Sequence, residues 1–200
     1  GFLSSGIYDG ESFDATHQPR LLGRVQVVEA QFPIVPQTGP PVRVKQRLTP
    51  VLLRTPKGEQ VLDFGQNMAG IVEFTCREPY GTQISLQAGE VLQNGCFYRD
   101  NLRDARARFD YIANGETRRV AQHFTYYGFR YMLVEGIRQV NPADFTALAL
   151  YSDLEPTLSC QTSAPKLDRL LNNALWGQRS NFVDVATDCP QRSERLGWTG

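Results

Sequence analysis

The sequence predicts a mainly β protein, an antiparallel β-sandwich followed by one amphipathic helix. Two observations predict it. Between residues 42 and 152, short runs alternate apolar and polar side chains, and turn residues separate the runs with no helical pattern between them. After Ser163 the apolar period changes to three and four residues. Strands that follow one another so closely are typical of an antiparallel sandwich.

Residues 1–41 are rich in turn-forming residues, and five prolines fall between Pro19 and Pro41. A proline fixes φ and removes a hydrogen-bond donor, so we expect neither a sustained helix nor a central strand in the proline-rich part. We interpret residues 1–41 as the tail of a preceding β domain and a stiff Pro-rich connector.

Residues 42–152 carry the strands of the predicted sandwich. In IVEFTCR, Val72, Phe74 and Cys76 share one face, which indicates a half-buried strand. Asn114-Gly115 is the strongest short hairpin signal in the chain, and it predicts a hairpin between its two strand-like arms. The charge-rich run LRDARARFD, residues 102–110, is interpreted as an exposed edge or loop whose charges pair with one another.

Residues 153–200 contain the predicted helix, over 163–183, with Ser163 as its N-cap and Pro165 in its first turn. Its apolar positions recur at three and four residues: Leu167, Leu170, Leu171, Ala174, Leu175 and Phe182. One helix after a complete sandwich has no helical partner within the chain. We therefore interpret 153–200 as the start of a helical domain that these residues do not complete.

Composition argues against several function classes. Lys plus Arg and Asp plus Glu both number 21, so no basic surface indicates a nucleic-acid partner. No apolar run approaches the ~20 residues of a membrane span. The cysteines, Cys76, Cys96, Cys160 and Cys189, are too far apart for a metal site, and we favour free buried thiols over disulfides. The cellular compartment and the oligomeric state stay open.

The run DCPQRSERLGWTG, residues 188–200, places charges beside an indole. One interpretation is a helix-ending turn with a solvated ion-pair patch, worth under about 1 kcal/mol. The other is a sugar-binding acid site, because an indole such as Trp198 against Glu194 would raise the pKa of that carboxyl. In that site Asp188 and Arg192 suit the recognition of hydroxyl groups. Position in the sequence alone leaves both interpretations open.

The same run resembles the signature of bacterial α-L-rhamnosidases of glycoside hydrolase family 78. The segments VLDFGQNMAGIVEF, GTQISLQAGEVLQNG, FTYYGFRYMLVEG and LNNALWGQRSNFVDVATDCPQR resemble, in order, the family's β-sandwich and first barrel helix. IYDGESFDAT resembles the end of the domain before the sandwich. The resemblance implies a concanavalin-like sandwich at 42–152 and the beginning of a truncated (α/α)6 catalytic barrel at 153–200.

The resemblance also implies residue roles and an activity. Glu194 falls on the family's general acid, and Asp188, Arg192 and Trp198 fall on positions that line the rhamnose subsite. It implies inverting hydrolysis of terminal non-reducing α-L-rhamnose from glycosides or polysaccharides. Separately, we expect no cofactor and no metal site.

The catalytic base is the missing part of this site. Inverting hydrolysis needs a second carboxylate roughly 6.5 to 9.5 Å from the acid. The family's base is a Glu of the later barrel, and Asp184, Glu155 and Asp100 are poor substitutes for it. We therefore expect the chain alone to be inactive. Two other functions stay open: a non-catalytic carbohydrate-binding or scaffolding sandwich, and a related exo-glycosidase with a different sugar specificity.

Overall fold

The computed structural model describes residues 1–192, 194 and 197. Within them it has one α-helix and fourteen strands, which confirms the predicted mainly β fold. The strands are β1 (Phe2–Gly6), β2 (Gly10–Asp14), β3 (Val42–Leu48), β4 (Val51–Arg54), β5 (Gln60–Cys76), β6 (Gln83–Gly89), β7 (Val91–Gln93), β8 (Cys96–Tyr98), β9 (Arg108–Ile112), β10 (Arg118–Val120), β11 (Tyr127–Glu135), β12 (Phe145–Ser152), β13 (Phe182–Val183) and β14 (Val185–Ala186), and the helix is α1 (Pro165–Ser180). Two short 3-10 turns lie at Asp100–Leu102 and Pro142–Asp144.

Ten strands form one curled sheet, in the order β1-β2-β9-β6-β11-β5-β12-β3, with β4 and β10 also paired to β5. The 17-residue β5 joins the parts of this sheet, because it pairs along both of its edges. One edge pairs with β11 and β10, and the other pairs with β4 and β12. The two faces of the predicted sandwich are thus parts of a continuous sheet.

The inner face of this sheet encloses a single aromatic-rich core. Phe74 stacks on Phe145 with ring centroids 5.5 Å apart, and Phe64 meets Phe129 edge to face at 5.6 Å. Phe74 and Cys76 are each 1% exposed, as the period of two predicted. Burial of such side chains contributes about 1.5 to 3 kcal/mol each, so this core is the main source of the fold's stability.

The N-terminal hairpin belongs to the same sheet. Strand β2 continues the sheet by parallel pairing with β9, and Phe13 lies opposite Tyr111. The side chain of Glu11 is fully buried, and it accepts hydrogen bonds from the backbone N–H groups of His123, at 3.0 Å, and Phe124, at 3.2 Å. Residues 17–40 contain no helix or strand, as their prolines predicted. The domain boundaries at 41 and 152 stay a prediction.

The hairpin predicted at Asn114-Gly115 is wrong. Strand β9 pairs with β6 and β2, whereas β10 pairs with β5, so the two arms diverge. The local turn is nevertheless present: Asn114 Oδ1 accepts from the Glu116 N–H at 3.2 Å, and Gly115 has φ +81°. An Asn-Gly pair therefore specifies a tight turn here but not which strands pair across it.

Helix α1 begins one residue later than predicted, because its N-cap is Ala164 and not Ser163. Pro165 is in the first turn as expected. No side-chain hydrogen bond caps the helix at Ala164; just before it, the Thr162 hydroxyl accepts from the Ala164 N–H at 3.1 Å and donates to Asp168 at 2.9 Å. No helix in the described residues is long and apolar enough to cross a membrane.

The helix contacts the sheet through a different face from its leucines. Trp176 packs against the sheet core, and Ser180 Oγ accepts from the Ala69 N–H at 3.2 Å. The predicted apolar stripe, by contrast, stays exposed: Leu167, Leu170, Leu171 and Leu175 are 36% to 61% accessible. The leucine stripe therefore takes no part in docking α1 on the sandwich.

Candidate active site

A small ribbon fixes the start of the charged loop. Strands β13 and β14 pair with each other, and Asp184, with φ +72°, forms the turn between them. The Asp184 N–H donates to Ser152 Oγ at 3.0 Å, which ties the ribbon to the last strand of the sheet. Thr187 N–H donates to the Asn181 carbonyl at 2.8 Å. The loop from residue 188 therefore leaves from a position that both α1 and β12 define.

The loop then lies against the outer surface of β11. A Cβ atom added to Gly128 would lie 2.8 to 3.0 Å from the backbone N, Cα and Cβ of Gln191. Such separations are too short for ordinary contacts, so the close approach of the loop to the sheet requires a glycine at this position.

Three of the four predicted site residues come together in this loop. Arg192 Nη2 lies 2.9 Å from Glu194 Oε2 and 3.8 Å from Asp188 Oδ2. The Nε of the same guanidinium donates to Cys189 Sγ at 3.0 Å. Trp198 lies outside the described residues, so its predicted contact with Glu194 stays a prediction.

Arg103 is a member of this cluster that sequence reasoning missed. Its Nη1 donates to Glu194 Oε1, the carboxylate oxygen that Arg192 leaves free. The run 102–110 was expected to pair its charges within itself, and for Arg103 that expectation is wrong. The two partners are 91 residues apart, and no local pattern in the sequence connects them.

The arrangement fixes the carboxyl of Glu194 from two sides. Each oxygen of this carboxyl accepts a hydrogen bond from a different guanidinium, one from Arg103 and the other from Arg192. The side chain of Glu194 is 37% exposed and that of Arg192 is 29% exposed, so the cluster is open to solvent and to a ligand.

Glu90, on the sandwich side, is a second carboxyl near this cluster. It accepts from Asn67 Nδ2 at 2.9 Å and from Asn101 Nδ2 at 3.1 Å. Burial raises the pKa of Glu90, while these two hydrogen bonds and the charge of Arg192 act in the opposite direction. Glu90 is therefore a partly buried carboxyl group next to the loop that carries Arg103.

Cys189 is the buried thiol of the cluster. Burial raises its pKa, and the guanidinium of Arg192 opposes that shift. Ligand atoms of Asp188, Cys189 and Glu194 lie within 4.8 Å of one another. Arg192 contacts all three side chains, so a divalent cation at this point would face a guanidinium; the donor set favours hydrogen bonding over metal coordination. The four cysteines form no disulfide with one another, and three of them are buried.

Family comparisons identify the two parts of the chain. The model of the bacterial α-L-rhamnosidase concanavalin-like domain matches residues 53–151. The model of the bacterial α-L-rhamnosidase 6 hairpin glycosidase domain matches residues 155–200. The chain belongs to the bacterial α-L-rhamnosidase family. The resemblance seen in the terminal run is thereby confirmed.

Individual relatives agree with this assignment. An α-L-rhamnosidase of Streptomyces avermitilis is 35% identical over 99% of this chain, and one of Alteromonas sp. (strain LOR) is 33% identical over 96% of it. The crystal structure of an Aspergillus terreus α-L-rhamnosidase matches with a TM-score of 0.88 at 35% identity, over 99% of this chain and 25% of that one. The Streptomyces avermitilis enzyme complexed with L-rhamnose matches with a TM-score of 0.89 at 34% identity, over 99% of this chain and 21% of that one.

The chain spans only about a fifth of the length of the curated relatives, 21% and 23% for the two named above. Most of each relative therefore has no counterpart in these 200 residues.

Proposed function

We propose that the chain supplies the general acid of an α-L-rhamnosidase that removes terminal non-reducing α-L-rhamnose from glycosides or polysaccharides with inversion. The observation that carries the proposal is the carboxyl of Glu194, fixed by Arg103 and Arg192 beside Asp188, in a chain of the α-L-rhamnosidase family. A relative at 34% identity was solved in complex with L-rhamnose.

In this proposal Glu194 donates its proton to the glycosidic oxygen as the bond between that oxygen and the anomeric carbon breaks. A water molecule attacks the opposite face of the sugar, and a second carboxylate accepts the proton of that water. That base comes from outside these 200 residues. Proton transfers between two carboxyl groups and water suffice for the reaction, which therefore needs no cofactor.

The remaining site residues would hold the sugar. Asp188 can accept hydrogen bonds from vicinal hydroxyls, and Arg192 can donate to ring hydroxyls while it orients both carboxylates. Trp198 would pack its indole against the C–H face of the pyranose; this role comes from the family resemblance.

The test is Glu194→Gln in the protein expressed from its complete gene. We expect hydrolysis of an α-L-rhamnoside to fall by about 10²- to 10⁴-fold with an unchanged circular dichroism spectrum, because the amide cannot supply the proton. The matched control is Glu155→Gln, which alters an exposed carboxyl before α1 and should leave turnover unchanged. Near-normal turnover of Glu194→Gln would remove this residue from the role of acid.

The sugar specificity needs a separate measurement. A panel of aryl glycosides that includes α-L-rhamnoside, α-L-arabinoside and β-D-glucuronoside should show the highest kcat/KM with the rhamnoside. A higher value with either of the others would make the protein an exo-glycosidase of different specificity.

A further inference from the structure

The loop that carries Arg103 has an unusual backbone. Arg103 follows the short 3-10 turn Asp100–Leu102 and has φ 54° and ψ −123°, outside the regions that residues with a Cβ atom normally occupy. Ala107, at the other end of the loop, also has a positive φ of 39°. Such conformations are energetically unfavourable and persist only where the surroundings enforce them.

Buried neighbours enforce this conformation from both sides of Arg103. Leu102 is 1% exposed and Ala105 is 4% exposed, so the chain is buried shortly before and shortly after Arg103. The Leu102 N–H donates to the Arg99 carbonyl at 2.9 Å, and the Ala105 N–H donates to the Leu102 carbonyl at 3.2 Å. The guanidinium of Arg103 therefore projects from a backbone that the sandwich holds in place.

Two polar contacts strengthen this anchoring. Asn101 Nδ2 donates to the partly buried Glu90, which Asn67 also holds. At the far end of the loop, the Ala107 N–H donates to the Tyr8 carbonyl at 3.1 Å. The loop is thus attached to the end of β6, to β5 and to the N-terminal hairpin.

The position of Arg103 complements that of Arg192. Arg192 shares its guanidinium among Glu194, Asp188 and Cys189, and it binds only one oxygen of Glu194. Arg103 binds the other oxygen. With both oxygens held, the plane of the carboxyl is fixed, and rotation about its last side-chain bond is restricted.

We propose that Arg103 is a positioning residue for glycoside hydrolysis, through which the sandwich domain fixes the orientation of the acid, Glu194. It also stabilises the carboxylate that remains once the proton has moved to the glycosidic oxygen and the bonding electron pair has left with the departing alcohol. This inference rests on the proposed function of Glu194.

The competing explanation is a surface ion pair with no catalytic effect. The side chain of Arg103 is 52% exposed, and exposed ion pairs contribute little to stability. A residue that acts only on stability lowers the rate with every substrate by the same factor. A residue that acts through the general acid has a larger effect on substrates whose leaving group depends on protonation.

The test compares two α-L-rhamnosides in the protein expressed from its complete gene, 4-nitrophenyl and methyl α-L-rhamnoside. For Arg103→Ala we expect kcat/KM for the methyl glycoside to fall by about 10- to 100-fold, because a displaced acid protonates a poor leaving group inefficiently. The loss with the nitrophenyl glycoside should be at least several-fold smaller. Equal losses with the two substrates, or no loss with either, would overturn the proposal.

The matched control is Arg106→Ala, which removes the same charge from an exposed position of the same loop and should leave both rates near normal. Arg103→Met preserves most of the apolar stem, and it replaces Arg103→Ala if the alanine variant does not fold. Arg103→Lys keeps the charge but not the planar fork, and it should recover part of the loss.

A double variant separates this inference from the proposed function. In a Glu194→Gln background, Arg103→Ala should cause little further loss, because the acid through which it acts is already absent. If Glu194→Gln alone leaves turnover normal, the proposed function fails. Suppose instead that Glu194→Gln has its expected effect, and that Arg103→Ala lowers the rate by the same factor in the Glu194→Gln background as in the unsubstituted protein. In that case only the positioning role fails.

Discussion

The sandwich buries its large apolar side chains, whereas the terminal segment leaves its leucines exposed. In the sandwich, Phe74, Phe129 and Phe145 are at most 2% exposed and belong to one core. In the terminal segment, α1 keeps its leucines accessible and docks through Trp176 and Ser180. The first region forms most of the core, whereas the second carries Asp188, Arg192 and Glu194 of the candidate site and leaves a surface uncovered. The core and most of the candidate site residues therefore lie in different parts of the chain.

The two regions nevertheless meet at the acid loop. The absence of a Cβ atom at Gly128 lets the backbone of Gln191 approach closely, and Arg103 contacts Glu194. If this division of roles is right, substitutions in the core should unfold the chain, substitutions at the junction should affect catalysis, and substitutions on the leucine stripe should have little effect on the chain alone.

The largest effect on stability is expected for Phe129→Ala. The side chain is fully buried, and its loss should lower the free energy of unfolding by about 3 to 5 kcal/mol through lost burial and the cavity left behind. Urea denaturation of the 200-residue chain measures this. A loss below about 1 kcal/mol would mean that this core is not what stabilises the fold.

Gly128→Ala tests the junction next to that core position. The new Cβ would displace Gln191, so we expect kcat/KM of the complete protein to fall by about tenfold or more while the sandwich stays folded. Overpacking should cost about 1 to 3 kcal/mol of stability. Unchanged activity would show that the loop does not need its place against β11.

The ion pair of Asp63 with Arg130 gives a pH-dependent contribution inside the sandwich. Arg130 donates to both oxygens of Asp63, each at 2.8 Å, and these hydrogen bonds hold the pKa of Asp63 below its ordinary value. Because the folded pKa is lowered, the stabilisation is present above the ordinary value near 4 and is lost as the pH falls through the folded value.

Asp63→Asn should therefore lower the free energy of unfolding by about 1.5 kcal/mol at neutral pH. The difference from the unsubstituted chain should shrink as the pH falls below about 4. Denaturation at several pH values measures it, and a difference that does not depend on pH would rule out the ionised pair as its source.

The smallest effect is expected for Leu170→Gln on the leucine stripe. Leu170 is 61% exposed, so its replacement should change the free energy of unfolding of the 200-residue chain by less than about 0.5 kcal/mol. A clearly larger loss in the protein expressed from its complete gene would show that other residues cover this stripe there.

Local patterns predicted the structure well where neighbours along the chain determine it. The period of two placed Val72, Phe74 and Cys76 on the buried face, and Pro165 marked the first turn of α1. The predicted N-cap was one residue off, because Ala164 occupies that position and no side-chain hydrogen bond caps the helix there. Short-range chemistry of this kind is encoded within a few residues.

Non-local pairing was not predictable from one sequence. The Asn114-Gly115 turn was recognised, but its arms pair with strands elsewhere in the chain. The contact between Arg103 and Glu194 joins residues 91 positions apart, and it depends on how the sheet curls. In the candidate site, the terminal motif therefore indicated Asp188, Arg192 and Glu194, while the sandwich's own contribution emerged only from the fold.

A crystal structure of the protein expressed from its complete gene, with a sulfur-linked α-L-rhamnoside that it cannot hydrolyse, would show whether Glu194 protonates the leaving oxygen. We expect a carboxyl oxygen of Glu194 about 3 Å from the glycosidic sulfur, with Arg103 on the other oxygen. A Glu194 side chain that faces solvent, with a different carboxyl group at the glycosidic atom, would contradict it.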